Sequence, residues 1–384
     1  MQFLSNRGDV EPFYAMDILA AANHLKGQGN DVISLAVGQP SAPAPKAVLE
    51  AAHAALMDGH IGYTDSLGLK ALREAIAHYY FIHHGIEIGF ERIAITTGSS
   101  AAFNLAFLSY FDVGDNVAIT RPGYPAYRNI MKALGINVIE IEVDKNNGGV
   151  LTVDALLEAH KRTPLKAVLF ASPANPTGAS LNAEQLIQIV NAASDNNIHI
   201  ISDEIYHRLN YSGPDITALS YSDNVTIINS FSKYYCMTGW RIGWMVLPKN
   251  AVRSIERIAQ SLYISPPELS QKAAIAAFDA TEELERVKAQ YQLSRDLLAY
   301  SLPRIGLSLL APLDGAFYAY CDCSKFSNDS MTLAKKILSE TFVAVTPGQD
   351  FDPIEGHRSL RFSYAGDPNR VAIALNRIEG FLNR

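Results

Sequence analysis

Seven short apolar runs alternate with amphipathic stretches between about residues 65 and 265, and this rhythm restricts the possible folds more than any other feature of the chain. The runs lie at 92–97, 117–121, 137–143, 166–171, 197–202, 225–230 and 242–247. Several are apolar at successive positions, so both faces of the strand need cover, which a parallel sheet beneath helices provides. Between the runs, Leu69 to His84 has helical periodicity and stops at Gly85, and Asn182 with Gln185 forms a capping-box pattern ahead of 183–196. The predicted fold is α/β, a mainly parallel seven-stranded sheet flanked by helices. After residue 265 the pattern changes to helical periods from Glu268 to Ser301, short alternating strands at 316–321 and 359–364, and a helix opening at Asp367-Pro368. With 384 residues, more than one domain is expected. The division is 36–265 as a large domain and 266–384 as a smaller α+β domain, with 1–35, including a helix-like stretch from Phe13 to Leu25, as an arm that joins the small one.

Charge and composition exclude several functions. Thirty-two Lys and Arg stand against 39 Asp and Glu, a net charge of −7 without blocks of like charge, so no nucleic-acid or anionic-membrane surface is expected. No apolar run spans a bilayer and the first residues lack a secretory pattern, so a cytoplasmic location is expected. Cys236, Cys321 and Cys323 are too few for a disulfide framework and are not at zinc-ligand spacing, so no metal is predicted. P-loop, G-x-G-x-x-G, G-x-S-x-G and H-E-x-x-H patterns are absent. His83 and His84 close a helix, where they are expected to complement its dipole.

Ligands of open parallel sheets sit beyond the carboxyl ends of the strands. There the sequence places Thr96 to Ser100, Arg121 to Tyr124, Ser172 to Gly178, Ser202 to Tyr206 and Ser230 to Lys233. Each has an ordinary explanation. Asp203 could cap the segment immediately after it, Ser99 and Ser100 could cap the helical run behind them, and Asn175-Pro176-Thr177-Gly178 reads as a turn. Lys233 could be a solvated loop lysine, and Arg361, between Leu360 and Phe362, would lie on the polar face of its strand. Taken together, a carboxylate, an amide, a phenol and a lysine on one sheet edge, beside a helix start and Arg241, suit a heterocyclic phosphate cofactor held as an imine.

The chain resembles the fold-type I, pyridoxal-phosphate-dependent aminotransferases of class I/II. The likeness runs through Leu35 to Pro40, Gly62-Tyr63-Thr64, Ser172 to Gly178, Ser202 to Tyr206, Ser230 to Lys233, Thr238 to Trp244 and Ser359 to Ser363. It implies that Lys233 forms the imine with the cofactor and shuttles a proton, and that Asp203 pairs with the ring nitrogen. Asn175 and Tyr206 would bond the ring oxygen, Ser99, Ser100, Ser230 and Arg241 the phosphate, and Tyr124 would stack on the ring. Arg361 would clamp the substrate carboxylate with Asn175 and the Gly38 N–H. Tyr63 would reach the phosphate in a neighbouring subunit, which implies a homodimer with shared active sites. The implied reaction is ping-pong transfer of an amino group from an L-amino acid to a 2-oxo acid through a pyridoxamine-phosphate form. A β-eliminating C–S lyase on the same scaffold is the alternative, and a regulator without turnover is a third reading that the short segment before Gly38 disfavours. No Lys or Arg lies between Thr96 and Thr120, which disfavours a dicarboxylic substrate.

Overall fold

The computed structural model describes residues 3–143 and 145–384. All seven apolar runs become strands of one sheet, in the spatial order Ile93–Thr96, Gly243–Val246, Thr226–Ser230, His199–Asp203, Ala167–Ala171, Asn116–Arg121, Asn137–Glu142. Every neighbouring pair is parallel except those of Gly243–Val246, which runs antiparallel to both its neighbours. The reason lies in the connection. A parallel return needs a crossover of a dozen or more residues, usually a helix, and residues 231–242 contain only the 3-10 turn Thr238–Trp240.

Successive residues of the central strands enter opposite apolar layers. Val168, Phe170, Ile200 and Ile227 join one core, and Leu169, Ile201 and Ile228 the other. The runs are continuous because each side chain has a helix layer to meet, and burial of each such side chain contributes about 1.5–3 kcal/mol.

Helix boundaries follow the sequence signals closely. Lys70–His84 ends at Gly85 in the left-handed region, and Ala183–Asp195 carries the reciprocal Asn182–Gln185 capping box. The arm forms a helix over Tyr14–Gly27, and Asp367 caps Pro368–Leu382. The periodic stretch from 268 divides into Glu268–Ile275, a 3-10 turn Ala276–Asp279 and Thr281–Ile305, with buried Ala273, Ala274 and Ala277 where Lys46–Asp58 packs against this region.

The dipole role expected of His83 and His84 is not what their surroundings favour. Burial lowers the pKa of both, that of His84 to about 4, so His84 is neutral at pH 7 and adds no positive charge at the helix end.

A second, antiparallel sheet has the order Thr346–Pro347, Ser359–Ser363, Tyr318–Asp322, Ser308–Leu309. The expected strand at 316–321 begins two residues late because Ala316 adopts a positive φ of 56°. Ile33–Ser34 pairs in parallel with Val343–Ala344. Among the described residues no helix is long and apolar enough to cross a membrane, and no group of His, Cys, Asp or Glu is arranged to hold a metal. All three cysteines are free and buried.

Candidate active site

A cavity of about 370 Å³ opens where the carboxyl ends of the central strands meet the start of helix Ser99–Tyr110 and the edge of the second sheet. Gly38, Ser99, Ser100, Tyr124, Asn175, Asp203, Tyr206, Lys233, Arg241 and Arg361 all line it.

Asp203 ends its strand and is 4% exposed. Oδ1 accepts the Ile205 N–H at 3.0 Å, so the expected local capping does occur, while Oδ2 accepts from the Tyr127 hydroxyl. Burial pushes its pKa up to about 6, against the opposing pull of these donors and of Lys233. Lys233 is not the solvated lysine of the ordinary reading. It turns inward, and its Nζ donates to the Gly38 carbonyl at 2.7 Å. Burial first, and then the Arg361 charge, lowers its pKa to about 8.

Arg361 departs furthest from strand periodicity, since every residue of Ser359–Ser363 is buried. Its polar face is turned toward the cavity. Nη1 donates to Asn175 Oδ1 at 2.8 Å and Nη2 to the Ala36 carbonyl at 2.6 Å, while Nε has no protein partner. The guanidinium centre lies 4.3 Å from the Tyr318 ring and 4.5 Å from that of Phe351. Aromatic faces on this cation supply attraction without occupying its N–H groups.

At the opposite end, Gly98 rather than a serine is the N-cap of Ser99–Tyr110, and no side chain caps that helix. The capping expected of Ser99 and Ser100 is therefore absent, and the first N–H groups are free to meet an anion. Gly98 has φ +81°, and a Cβ there would fall 2.4 Å from Arg241 Nη2, so the cradle requires glycine. Arg241 itself is anchored by Nη1 donating to the Thr238 carbonyl at 2.9 Å.

Ser230 sits one layer behind the cavity. Its hydroxyl donates to the Ile242 carbonyl at 3.0 Å and lies 2.8 Å from the Ser232 hydroxyl, and it is Ser232 that reaches the wall. Tyr63 is 81% exposed and does not enter this cavity.

Several lining side chains escaped the sequence reading, among them Ser232, Tyr127, Tyr318 and Asp350. Ser232 is two residues after Ser230, and Tyr127 is one helical turn after Tyr124, so spacing could have suggested both. Tyr318 and Asp350 carried no such signal. Asp350 accepts the Tyr14 and Ala15 N–H groups at 2.7 and 2.8 Å, fixing the arm helix, whose Phe13 and Met16 also line the cavity.

These residues fit pyridoxal phosphate. An uncapped helix start with Arg241 suits a dianionic phosphate, a buried carboxylate suits a ring cation, and an inward-facing amine of lowered pKa suits an aldehyde.

The family model for aminotransferases of class I and II matches residues 30–378. The chain is 44% identical to a valine–pyruvate aminotransferase of Mycobacterium tuberculosis over 380 residues, covering 98% of this chain and 97% of that one. It is 35% identical to a (5-formylfuran-3-yl)methyl phosphate transaminase of Methanocaldococcus jannaschii, covering 98% of each. A crystal structure of an aminotransferase from Mycobacterium tuberculosis superposes with a TM-score of 0.97 at 44% identity, covering 100% of both chains. With this cavity and that likeness along its length, the chain belongs to the class I and II aminotransferases, enzymes that work with pyridoxal phosphate.

Proposed function

We propose that Lys233, Asp203 and Arg361 divide the work of amino transfer, with an L-amino acid of apolar side chain as donor and a 2-oxo acid as acceptor. The observation that carries this reading is that an amine, a carboxylate and a guanidinium, from three distant parts of the sequence, face one cavity. When bound, pyridoxal phosphate supplies an aldehyde that takes up the amino group and a ring that accepts the electrons released at the substrate Cα.

Lowering the Lys233 pKa from 10.5 to about 8 raises its neutral fraction at pH 7 several hundredfold. Its Nζ is then the neutral amine that would hold the cofactor aldehyde, and the same atom is placed to take and return a substrate proton as base and then acid, a role contributing about 10² to 10⁴-fold. Asp203, ionised at pH 7, offers a fixed anion to the ring nitrogen. Because Asn175 Oδ1 is held by Arg361, its Nδ2 and the Tyr206 hydroxyl are left as donors for the ring oxygen. Tyr124 would pack on the ring. Ser99, Ser100, Ser232 and Arg241 would hold the phosphate, with Ser230 acting through Ser232. Arg361, helped by the Gly38 N–H, binds the substrate carboxylate and so selects which Cα bond stands across the ring.

Phe13, Met16, Val37 and Phe351 line the cavity, and no lysine or arginine other than Lys233, Arg241 and Arg361 does so among the described residues. That lining supports an apolar donor, as does the likeness to a valine–pyruvate aminotransferase. The β-eliminating alternative is not favoured, because the relatives that align over the whole chain are named aminotransferases.

We read the enzyme as a homodimer. Leu56, Met57, Ile61, Tyr63, Leu262 and Ile264 are all exposed, and Thr64 N–H donating to Ser265 Oγ at 3.2 Å brings the two segments that carry them together, which supports a face covered by a second copy. In that assembly Tyr63 meets the phosphate bound by the other subunit. The division into 1–35, 36–265 and 266–384 is part of the same reading, and so is a cytoplasmic location, which the three free thiols support.

A panel of amino acids, scored by loss of the bound cofactor's visible absorption, tests the reading. Apolar amino acids should react at concentrations at least about tenfold lower than aspartate, since an uncompensated charge in an apolar lining costs more than about 1.4 kcal/mol. A panel in which no amino acid changes the spectrum would overturn it, as would release of pyruvate and ammonia from cystathionine without any oxo acid.

A further inference from the structure

Tyr318 occupies a position that no other side chain in the cavity shares. It opens the strand Tyr318–Asp322, pairs in register with Ser363 beside the strand of Arg361, and is 1% exposed. Its ring lies 4.3 Å from the Arg361 guanidinium. Its hydroxyl is 2.8 Å from that of Tyr206. It also presses on Gly38, where a Cβ would fall 1.7 Å from the Tyr318 oxygen, and the Gly38 carbonyl is the acceptor that holds Lys233 Nζ at 2.7 Å. One residue of the second sheet thus touches the carboxylate clamp, the phenol assigned to the cofactor and the segment that receives the lysine.

We propose that Tyr318 is a further positioning residue, whose ring sets the plane of Arg361 and whose hydroxyl fixes the direction in which the Tyr206 hydroxyl donates. This rests on the assignment of Tyr206 and Arg361 made above. The argument for the hydroxyl is one of inventory. Each of the two tyrosine oxygens has one proton to give, and the pair is buried, with burial raising the pKa of both so that both stay protonated. If Tyr318 donates to Tyr206, the Tyr206 proton is left for the ring oxygen of the cofactor. Hydrogen bonds in such a chain polarise one another, so the Tyr206 proton becomes a better donor. The argument for the ring is steric and electrostatic. Arg361 has two aromatic rings against its guanidinium, Tyr318 and Phe351, and its Nε is the group left without a protein partner. Holding the plane directs the free edge of the guanidinium at an incoming carboxylate before substrate arrives.

The two halves of the role separate in two variants of the holoenzyme. Tyr318→Phe keeps the ring and loses the hydroxyl. The pH midpoint of the bound cofactor's visible absorption should rise by about 0.5 to 1 unit, the equivalent of one neutral hydrogen bond, because a weakened donor stabilises the ring oxyanion less. The dissociation constant of an unreactive carboxylate such as maleate or 3-phenylpropionate should stay within about twofold. Tyr318→Leu loses the ring as well, and that constant should rise about tenfold, the loss of one desolvated cation–π contact. A wild-type enzyme with its normal visible band, a Tyr318→Phe midpoint unchanged and a Tyr318→Leu affinity unchanged would overturn the proposal while leaving the assignments of Lys233 and Arg361 standing. Absence of any visible band in the wild type would remove those assignments instead.

Discussion

The seven-stranded and the four-stranded sheet of this enzyme bring side chains to the cavity in different ways. The seven-stranded sheet places Asp203 at the end of a strand, and Lys233 and Asn175 in loops just beyond strand ends, so its chemistry sits at the carboxyl edge. The antiparallel sheet places Arg361 in the middle of a strand and Tyr318 at the start of one, with both side chains turned inward. In the first sheet the strand ends and the loops beyond them line the cavity. In the second the strand itself forms the wall of the site, so a polar face in an alternating pattern marks the cavity and not the solvent. On the function proposed above, the parallel edge would supply the groups that bind cofactor and move protons, and the antiparallel wall the group that orients substrate.

Removing one group from each sheet should break the two functions separately. Lys233→Ala should give the largest effect, a fall in kcat of at least about 10⁴-fold, because both the covalent link and the proton carrier are lost. Its visible absorption should disappear, and retention of that band together with turnover would end the assignment of the parallel edge. Arg361→Leu should be next. Losing a charge-assisted, two-pronged contact to the substrate carboxylate should lower kcat/KM by about 10² to 10³-fold with the visible band intact. A loss below tenfold would mean that the antiparallel wall is structural and that another group holds the carboxylate.

This contrast explains what the sequence disclosed. Runs such as 166–171 and 225–230 were legible as central strands because burial on both faces leaves a continuous apolar signal, and the residues beyond them stood out by being polar and close to strand ends. The same reasoning gave Arg361 a solvent-facing place, since Leu360 and Phe362 on either side of it fit a half-buried strand equally well. Only likeness to a family put it in the site. Ser230 and Ser232 show a finer limit: both belong to the signature, but which hydroxyl reaches the wall is decided by the Ile242 carbonyl, brought alongside by the antiparallel strand that starts at Gly243. Tyr318 and Asp350 were invisible because their roles come from contacts with residues far away in the chain, at 206, 38 and 14.

The parallel edge should also be sharpened by its pH dependence. Without cofactor, the Asp203 carboxyl has a folded pKa of about 6 against an ordinary 3.8, so it favours folding fully only below 3.8 and loses that contribution as pH rises through 6. The charge left buried above that pH costs roughly 3 kcal/mol at most. Asp203→Asn removes the cost, keeps Oδ1 as acceptor for the Ile205 N–H and turns an NH2 toward the Tyr127 hydroxyl, whose oxygen can accept from it. Urea unfolding of cofactor-free protein should therefore favour the variant more at pH 7 than at pH 4.5, by about 1–2 kcal/mol once relaxation around the site is allowed for. Equal differences at the two pH values would show that Asp203 is not held against its own ionisation.

The smallest expected effect concerns Tyr127, and it tests whether the edge is tuned as well as built. Its hydroxyl donates to Asp203 Oδ2, and this bond works against burial to keep the carboxyl from rising further. Tyr127→Phe preserves the edge-on packing against Phe103 at 4.9 Å and Tyr124 at 5.4 Å, so the fold should be little disturbed. The Asp203 midpoint, followed by carbon NMR of its carboxyl in cofactor-free protein, should move up by about 0.5 to 1 unit, because one donor to the charged form is gone. In the loaded enzyme the ring nitrogen brings its own positive charge to the same carboxylate, so the shift should shrink there. A midpoint that stays put in the cofactor-free protein would mean that the Ile205 N–H and Lys233 alone set the charge of Asp203.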